Sequence, residues 1–321
     1  MSGAGVGGAG GSAAGMTGAG AETAPFGGQA LLLVNPTSGR GRSMELLPKT
    51  IQAFRMAGFT PTVVVTDTLV DATAQARAAA AGSLVAVLGG DGFLGAVAAG
   101  AMESGAVLLP LAGGRGNDTV RRIGLGLDPA RTVASMPQLE AVALDLGLVN
   151  GRPYFGVANV GFDGLANEYG NSARLNLGPF VYLYGGIRAF FDWKDVTFTV
   201  SVDGEEETFT GWFTTVGNVG QYGGGLRINP LAKADDGQLD VVSLGSASIV
   251  RVISVFLRAF RGAHLRQPGV SSTRGRTVHV SASKPLNIYA DGERIGPLPA
   301  LLEVAPAAVL VLVPKGSPVL R

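Results

Sequence analysis

The chain has 321 residues, 46% of them hydrophobic, and its 25 Lys and Arg nearly balance 24 Asp and Glu to leave a formal net charge of +1. That balance lacks the basic excess of a strongly electrostatic nucleic-acid binder. The absence of Cys excludes disulfides, thiolate metal sites and a cysteine nucleophile. The length suggests about two domains, and 50 glycines are about twice the usual ~7% share.

Residues 1–28 are rich in Gly, Ala and Ser without a periodic apolar face, which predicts a disordered tail. They lack the basic start and continuous apolar stretch of a signal peptide. The longest later apolar run, around Ile249 to Phe260, is interrupted by Arg251 and Arg258 and falls short of the ~20 residues of a membrane span. A cytoplasmic protein is expected.

From Gln29 the pattern alternates. Ala30–Val34, Thr62–Thr66, Leu84–Leu88 and Ala106–Leu109 read as strands. Arg42 to Ala57, Asp71–Ala81 and Leu94–Met102 read as helices between them. Strands and helices in this alternation predict βαβ units on a parallel sheet, an α/β nucleotide-binding domain over 29–138. Ligands of such sheets sit beyond the carboxyl ends of the strands, where Asn35, Thr66, Gly89–Gly92 and Gly113–Asp118 fall. After Gln138 the character turns to β, in a mostly antiparallel domain over 139–321. Its predicted strands are Leu139–Val149, Tyr154–Asn159, Val196–Val202, Thr208–Val216, Leu239–Leu244, Thr277–Ala282 and Leu286–Ala290. Helices are expected over Pro179–Asp192 and Ser248–Gly262.

Several loops carry chemistry. Gly89-Gly90-Asp91-Gly92 follows a strand and opens a helix; its glycines let a backbone approach phosphate, and helix N–H groups bind it. Asp91 would repel bare phosphate, so it points to Mg²⁺ bridging or proton acceptance. As letters, Gly90-x-Gly92-x-x-Gly95 also fits a dinucleotide fingerprint, but it lies on the third strand and lacks the acidic partner ~20 positions on. In Pro110–Asp118 (PLAGGRGND), Arg115 suits a phosphate and Asn117 a turn or a ribose hydroxyl, while Asp118 is expected to cap a short helix. Asn35, Pro36, Thr37, Ser38 and Gly39 form a turn with hydroxyls and free N–H groups, followed by Arg40. Asp235-Asp236-Gly237-Gln238 crowds carboxylates that a cation would relieve, although a solvated turn explains it equally. Asp203-Gly204-Glu205 and Asp291-Gly292-Glu293 are both hairpin turns, and spacing cannot choose between them. The helix over Ser248–Gly262 has arginines opposite a broad apolar face, fitting either a core-packing helix or a membrane surface. The aromatic stretch Phe180, Tyr182, Tyr184, Phe190 and Trp193 is expected to fill a core rather than line a lipid pocket.

The order NPTSG, GGDG, PLAGGRGND, NPLAKADDGQLD and DGE resembles the diacylglycerol kinase catalytic family, including bacterial soluble lipid kinases and sphingosine kinases, from about Gln29 to the last residue. The resemblance implies a two-domain fold in which ATP and a lipid presented at a membrane surface meet in a cleft. The implied reaction passes the γ-phosphoryl group to a lipid hydroxyl, with diacylglycerol giving phosphatidic acid. It implies nucleotide binding by Asn35–Gly39, Thr66, Gly89, Gly90, Asp91, Gly92, Arg115 and Asn117. Glu293 is implied as the base, selected over Glu205 by its place near the last residues, with Asp291 and Asp91 beside it. A structural Mg²⁺ is implied on the Asp236 carboxylate and the main-chain carbonyls of Lys233 and Gln238. Phe93 stands where the family has Thr, Gly95-Ala96 where it often has Asn-Glu, and Arg115 replaces a Thr hydroxyl. Two competing readings are an NAD kinase-like enzyme and a catalytically impaired nucleotide- or lipid-binding regulator. A nucleic-acid partner is not expected; peripheral membrane contact is, and a homodimer is left open.

Overall fold

The computed structural model describes residues 25–161, 193 and 196–321. The expected helix over 179–192, all of the expected tail up to residue 24 and four of the five aromatics of the 180–193 stretch lie outside the described residues. Pro25–Gly28 form a short 3-10 turn, and Phe26 packs against the first core. Its ring finds apolar surface beside the first strand, so the tail reading does not hold for these four residues.

Strands β1 (Gln29–Val34), β2 (Thr60–Val65), β3 (Leu84–Gly89) and β4 (Val107–Ala112) are parallel, in the spatial order β2-β1-β3-β4. β3 and β4 are buried at every residue, as strands covered on both faces must be. Along β1 the side chains alternate: Leu32 and Val34 enter a cluster with Phe54 and Leu109, and Leu33 joins Val97 and Leu108 on the other face. The crossings are helices α1 (Arg42–Met56), α2 (Leu69–Arg77) and α3 (Asp91–Ser104). α2 starts two residues earlier than expected because the Thr68 hydroxyl caps it, accepting the Asp71 N–H at 3.0 Å. The chain steps outward from β1 to β2, then back across β1 to β3. The switch point between β1 and β3 brings their following loops together.

Two short helices follow, α4 (Asp118–Arg122) and α5 (Pro129–Ala134). Asp118 is not the cap that its position suggested. Asn117, at φ 51°, occupies the cap position without a side-chain cap bond, and Asp118 is the first helical residue.

The remaining strands are mostly antiparallel: β5 (Leu139–Val149), β6 (Arg152–Tyr154), β7 (Val157–Gly161), β8 (Val196–Val202), β9 (Glu205–Gly217), β10 (Leu239–Gly245), β11 (Val270–Gly275), β12 (Thr277–Ala282), β13 (Asn287–Ala290), β14 (Glu293–Pro297) and β15 (Ala300–Pro314). The single strand expected over Tyr154–Asn159 is two, broken at Phe155-Gly156. Strands β11, β14 and β15 have no counterpart in the sequence reading. β15 is the longest of the described strands, and its letters hide it: Pro306 and a left-handed Ala307 (φ 48°) interrupt it, and its register with β5 shifts between Ala305 and Val309. Its second half runs parallel to β4, with Leu310 opposite Val107. A boundary at 138/139 therefore leaves this last strand in the first domain's sheet. Helix α6 (Ile249–Ala259) buries Val252, Val255 and Ala259 against Phe213 and Ile228. Trp193 stacks on Trp212 with ring centres 6.3 Å apart, a core role.

Candidate functional site

Three loops at the β1/β3 switch point touch through glycines. The Ser38 hydroxyl accepts the Gly90 N–H at 3.2 Å, linking the first loop to GGDG. A Cβ on Gly39 would lie 2.7 Å from the Gly113 carbonyl oxygen, and one on Gly114 would lie 2.5 Å from the Gly90 Cα. These approaches exclude any larger residue. Gly39, Arg40 and Gly41 all have positive φ, and the turn closes on itself: the Ser38, Arg40 and Gly41 N–H groups donate to the Asn35, Thr37 and Ser38 carbonyls at 3.3, 3.1 and 3.2 Å, so the free N–H groups expected there are taken. Asn35 shapes the turn by accepting the Thr37 N–H and hydroxyl at 3.0 and 2.9 Å. Asn117 does the same for its loop, accepting the Gly114 N–H at 2.8 Å and donating to the Gly114 carbonyl at 2.9 Å. Its amide is thereby committed to the turn. Pro36 is half-buried beside this turn, and Thr66 is buried with its hydroxyl toward the Val34 carbonyl. Arg115 is exposed at the loop tip. α3 opens at Gly90 without a side-chain cap, which leaves its first amides open beside these loops, an arrangement that receives phosphate.

Phe93 does not intrude. It is buried in the core, and its ring fills the place of a Gly89 side chain, 2.3 Å from an ideal Cβ there.

The acidic residues divide by what holds them. Asp91 accepts the N–H groups of Asp118 and Thr119 at 3.1 and 2.9 Å, tying α3 to the start of α4. Asp118 reaches across to the second domain, accepting from Gln221 Nε2 at 3.1 Å and the Gly224 N–H at 2.8 Å. Burial, and then the Asp91 charge, raise its carboxyl above the ordinary range. This bridge gives the Gly223–Gly225 run a purpose: all three have positive φ, turning backbone toward a carboxylate. The sequence reading placed Asp118 in the ligand loop as a cap and gave it no link to the second domain, and it gave Gln221 no role; that glycine run was the available signal.

Asp291 and Gly292 form the left-handed pair of a tight hairpin turn (φ 49° and 85°) between β13 and β14. The Asp291 carboxylate accepts the N–H groups of Phe155, Gly156 and Val157 at 2.7, 2.8 and 3.2 Å. Those bonds turn the chain at Phe155-Gly156 and explain why one expected strand is two. Burial pushes the carboxyl up to about 7, with the Asp91 charge adding to it and the three amides opposing. Glu293 is exposed and lies over the start of α3: a Cβ on Gly92 would be 3.4 Å from its Oε1. A Cβ on Gly95 would be 3.2 Å from Asp291 Oδ2, so the absence of Asn there makes room for this carboxyl. GGDG and DGE, about 200 residues apart, thus meet. The other hairpin, Asp203-Gly204, has the same backbone, but Asp203 is exposed and accepts from Arg276 and Thr277 N–H, away from these loops.

The 235–240 turn is a separate centre. Asp236 accepts the Gln238 N–H at 3.0 Å and faces Arg274 at 3.8 Å. Asp145, another residue without a sequence reading, accepts the Gly237 and Ala307 N–H groups, each at 2.7 Å. Among the described residues no three His, Cys, Asp or Glu side chains are grouped as metal ligands. The expected Mg²⁺ set needs one carboxylate and two carbonyls, and beside it two buried oxygens, Gln238 Oε1 and Asp240 Oδ2, lack hydrogen-bond partners. Hard oxygen donors of this kind fit Mg²⁺.

The comparisons agree with this architecture. Residues 29–149 match the model of the diacylglycerol kinase catalytic domain, and residues 156–313 that of the YegS C-terminal NAD kinase beta sandwich-like domain. The chain is 33% identical over 297 residues to a diacylglycerol kinase of Mycobacterium tuberculosis, covering 90% of this chain and 96% of that one. It is 27% identical over 298 residues to a diacylglycerol kinase of Bacillus subtilis, covering 89% and 97%. The crystal structure of a diacylglycerol kinase from Bacillus anthracis str. Sterne superposes with a TM-score of 0.67 at 19% identity, over 90% and 98% of the two chains, a likeness of fold. With its two domains, its loop order and a relative of this identity along nearly its whole length, the chain belongs to the diacylglycerol kinase catalytic family.

Proposed function

We propose that the chain is an ATP-dependent lipid kinase that converts diacylglycerol to phosphatidic acid. The observation that carries this reading is the position of the Glu293 carboxylate over Gly92, where the uncapped start of α3 and the loops after β1, β3 and β4 converge. In this reading the first amides of α3, Asp91 and Gly92, with Arg115, hold the ATP phosphates in line with the lipid hydroxyl. Glu293 takes the hydroxyl proton as its oxygen forms the new bond to the γ-phosphorus, the β–γ bridging bond breaks, and ADP leaves. Asp291 is a positioning residue: its carboxyl fixes the turn that aims Glu293. Asp91 and Asp118 hold α3, α4 and the 221–225 loop in register around the cleft. Mg²⁺ supplies charge neutralisation at the phosphates when bound, and a structural Mg²⁺ would be held by Asp236 and the carbonyls of Lys233 and Gln238. The names of the relatives favour diacylglycerol as acceptor.

Transfer of label from [γ-³²P]ATP to diacylglycerol in mixed micelles, run beside transfer to NAD, tests the reaction. Label in phosphatidic acid is expected; label only in NADP replaces the lipid reading with that of a nucleotide kinase. Glu293→Gln should lower kcat by about 10²–10⁴ while ATP still binds. Full activity in this variant would remove Glu293 from the role of base.

A further inference from the structure

Helix α6 has three sectors rather than two. Val252, Val255 and Ala259 are buried on one. On a second, Val250, Ile253, Leu257 and the adjoining Phe260 are 74%, 52%, 66% and 52% exposed. At 100° per residue these four fall within one third of a turn. Arg251, Arg258 and Arg261 occupy the third sector beside them, all exposed. From Ser248 to Gln267 there is no acidic residue, and Arg266 adds another cation. Burial in the fold accounts for the first sector alone. Among the described residues this stripe stays exposed, and the other exposed large apolar side chains are mostly scattered singly.

We propose that this face of α6 docks on an anionic lipid surface, its apolar stripe entering the headgroup boundary and its arginines contacting lipid phosphates. An apolar strip edged by one sign of charge is the pattern of a helix lying in a membrane interface. The charge selects the partner, because a second copy of the same face would set arginines against arginines. Its placement serves the site. The Arg227 N–H bonds the Ala259 carbonyl at the end of α6, and the segment before it carries Gly224, the partner of Asp118. Leu231, 54% exposed, lies just beyond that segment. The docked helix would hold the 221–231 segment, and with it the cleft, near the membrane. This inference rests on the lipid-kinase reading only for what it achieves; the binding itself is independent of it.

The test is sedimentation of the full chain with phosphatidylglycerol vesicles and with phosphatidylcholine vesicles, for wild type, Ile253→Ser/Leu257→Ser and Arg251→Gln/Arg258→Gln/Arg261→Gln. Wild type should bind the anionic vesicles, more weakly as salt rises. The triple arginine variant should lose on the order of a hundredfold in affinity, at ~1 kcal/mol per cation. The serine variant should lose binding at every salt concentration. All three proteins should phosphorylate a dissolved short-chain diacylglycerol alike, while only wild type should act fully on vesicle-borne substrate. Failure on the dissolved lipid in all three would strike the proposed activity, leaving the vesicle result to stand alone. Unchanged sedimentation of either variant overturns the docking face. So does a wild-type dimer that dissociates in the serine variant, which would make the stripe an interface between copies.

Discussion

Asp203 and Asp291 begin the same two-residue turn, with φ values of 51° and 49°, yet their surroundings are opposite. The difference comes from Phe155, Gly156 and Val157, whose amides surround the Asp291 carboxylate. No local pattern contains that contact, so the letters Asp-Gly-Glu could not separate the two turns, and only the family resemblance favoured the second. The contact has a measurable consequence. The Asp291 carboxyl is pushed up to about 7 in the fold, against ~3.9 for Asp in an unfolded chain. The fold therefore retains a proton that the unfolded chain releases. Its contribution to stability is complete below about pH 4 and is lost as pH rises through about 7. Asp291→Asn should abolish that dependence, of at most about 4 kcal/mol, whatever it costs through the lost amide bonds. Urea unfolding of both proteins from pH 4 to pH 8 measures the slopes, and equal slopes would show that Asp291 is ionised throughout. Glycines at this scale were more legible: the GGDG and GGRGND runs marked loops that do approach one another. Which atom each glycine spares was not legible, because the neighbours come from other strands.

Elements were legible where a short period sufficed. Burial alternates strictly along β8, its seven residues buried and half-buried by turns, and the expected bounds Val196–Val202 are the observed ones. The α2–α3 contact was not legible, since nothing in either helix names its neighbour. There Thr73 donates to the Ala96 carbonyl at 2.8 Å, and Gly100 faces the backbone of α2. A Cβ on Gly100 would lie 2.2 Å from the Thr73 carbonyl oxygen and 2.9 Å from the Arg77 nitrogen. Backbone cannot rotate aside as a side chain can, so α2 must shift as a unit. Gly100→Ala should thus destabilise the protein by about 1–3 kcal/mol, despite the ~1 kcal/mol that Ala gains over Gly within a helix. Chemical denaturation reads the sign directly. A more stable variant would mean that the two helices part without cost, and that α3, which carries GGDG, is not held by α2.

At the scale of the molecule the two domains share one continuous sheet, because β15 pairs with β12 and β5 and then runs beside β4. The residues after it complete the join. Val319 is fully buried in the first domain's core with Ile123 and Leu125, its carbonyl accepts the Ala234 N–H at 2.8 Å, and the Ser317 hydroxyl donates to the Ile123 carbonyl at 2.7 Å. The division into two domains was visible in the change from alternating to β character near Gln138, whereas their interlocking depended on a strand broken by Pro306 and a bulge. A shared sheet should make the halves unfold together. Val319→Ala removes two buried methyl groups from the first core, at about 2 kcal/mol. Both tryptophans, Trp193 and Trp212, lie in the other half, so their fluorescence reports on a region that the substitution does not touch. If β15 couples the halves, the fluorescence midpoint falls together with that of far-ultraviolet circular dichroism, which senses both. A fluorescence midpoint that stays in place while the dichroism splits into two steps would show that the sheet joins the domains in geometry but not in energy.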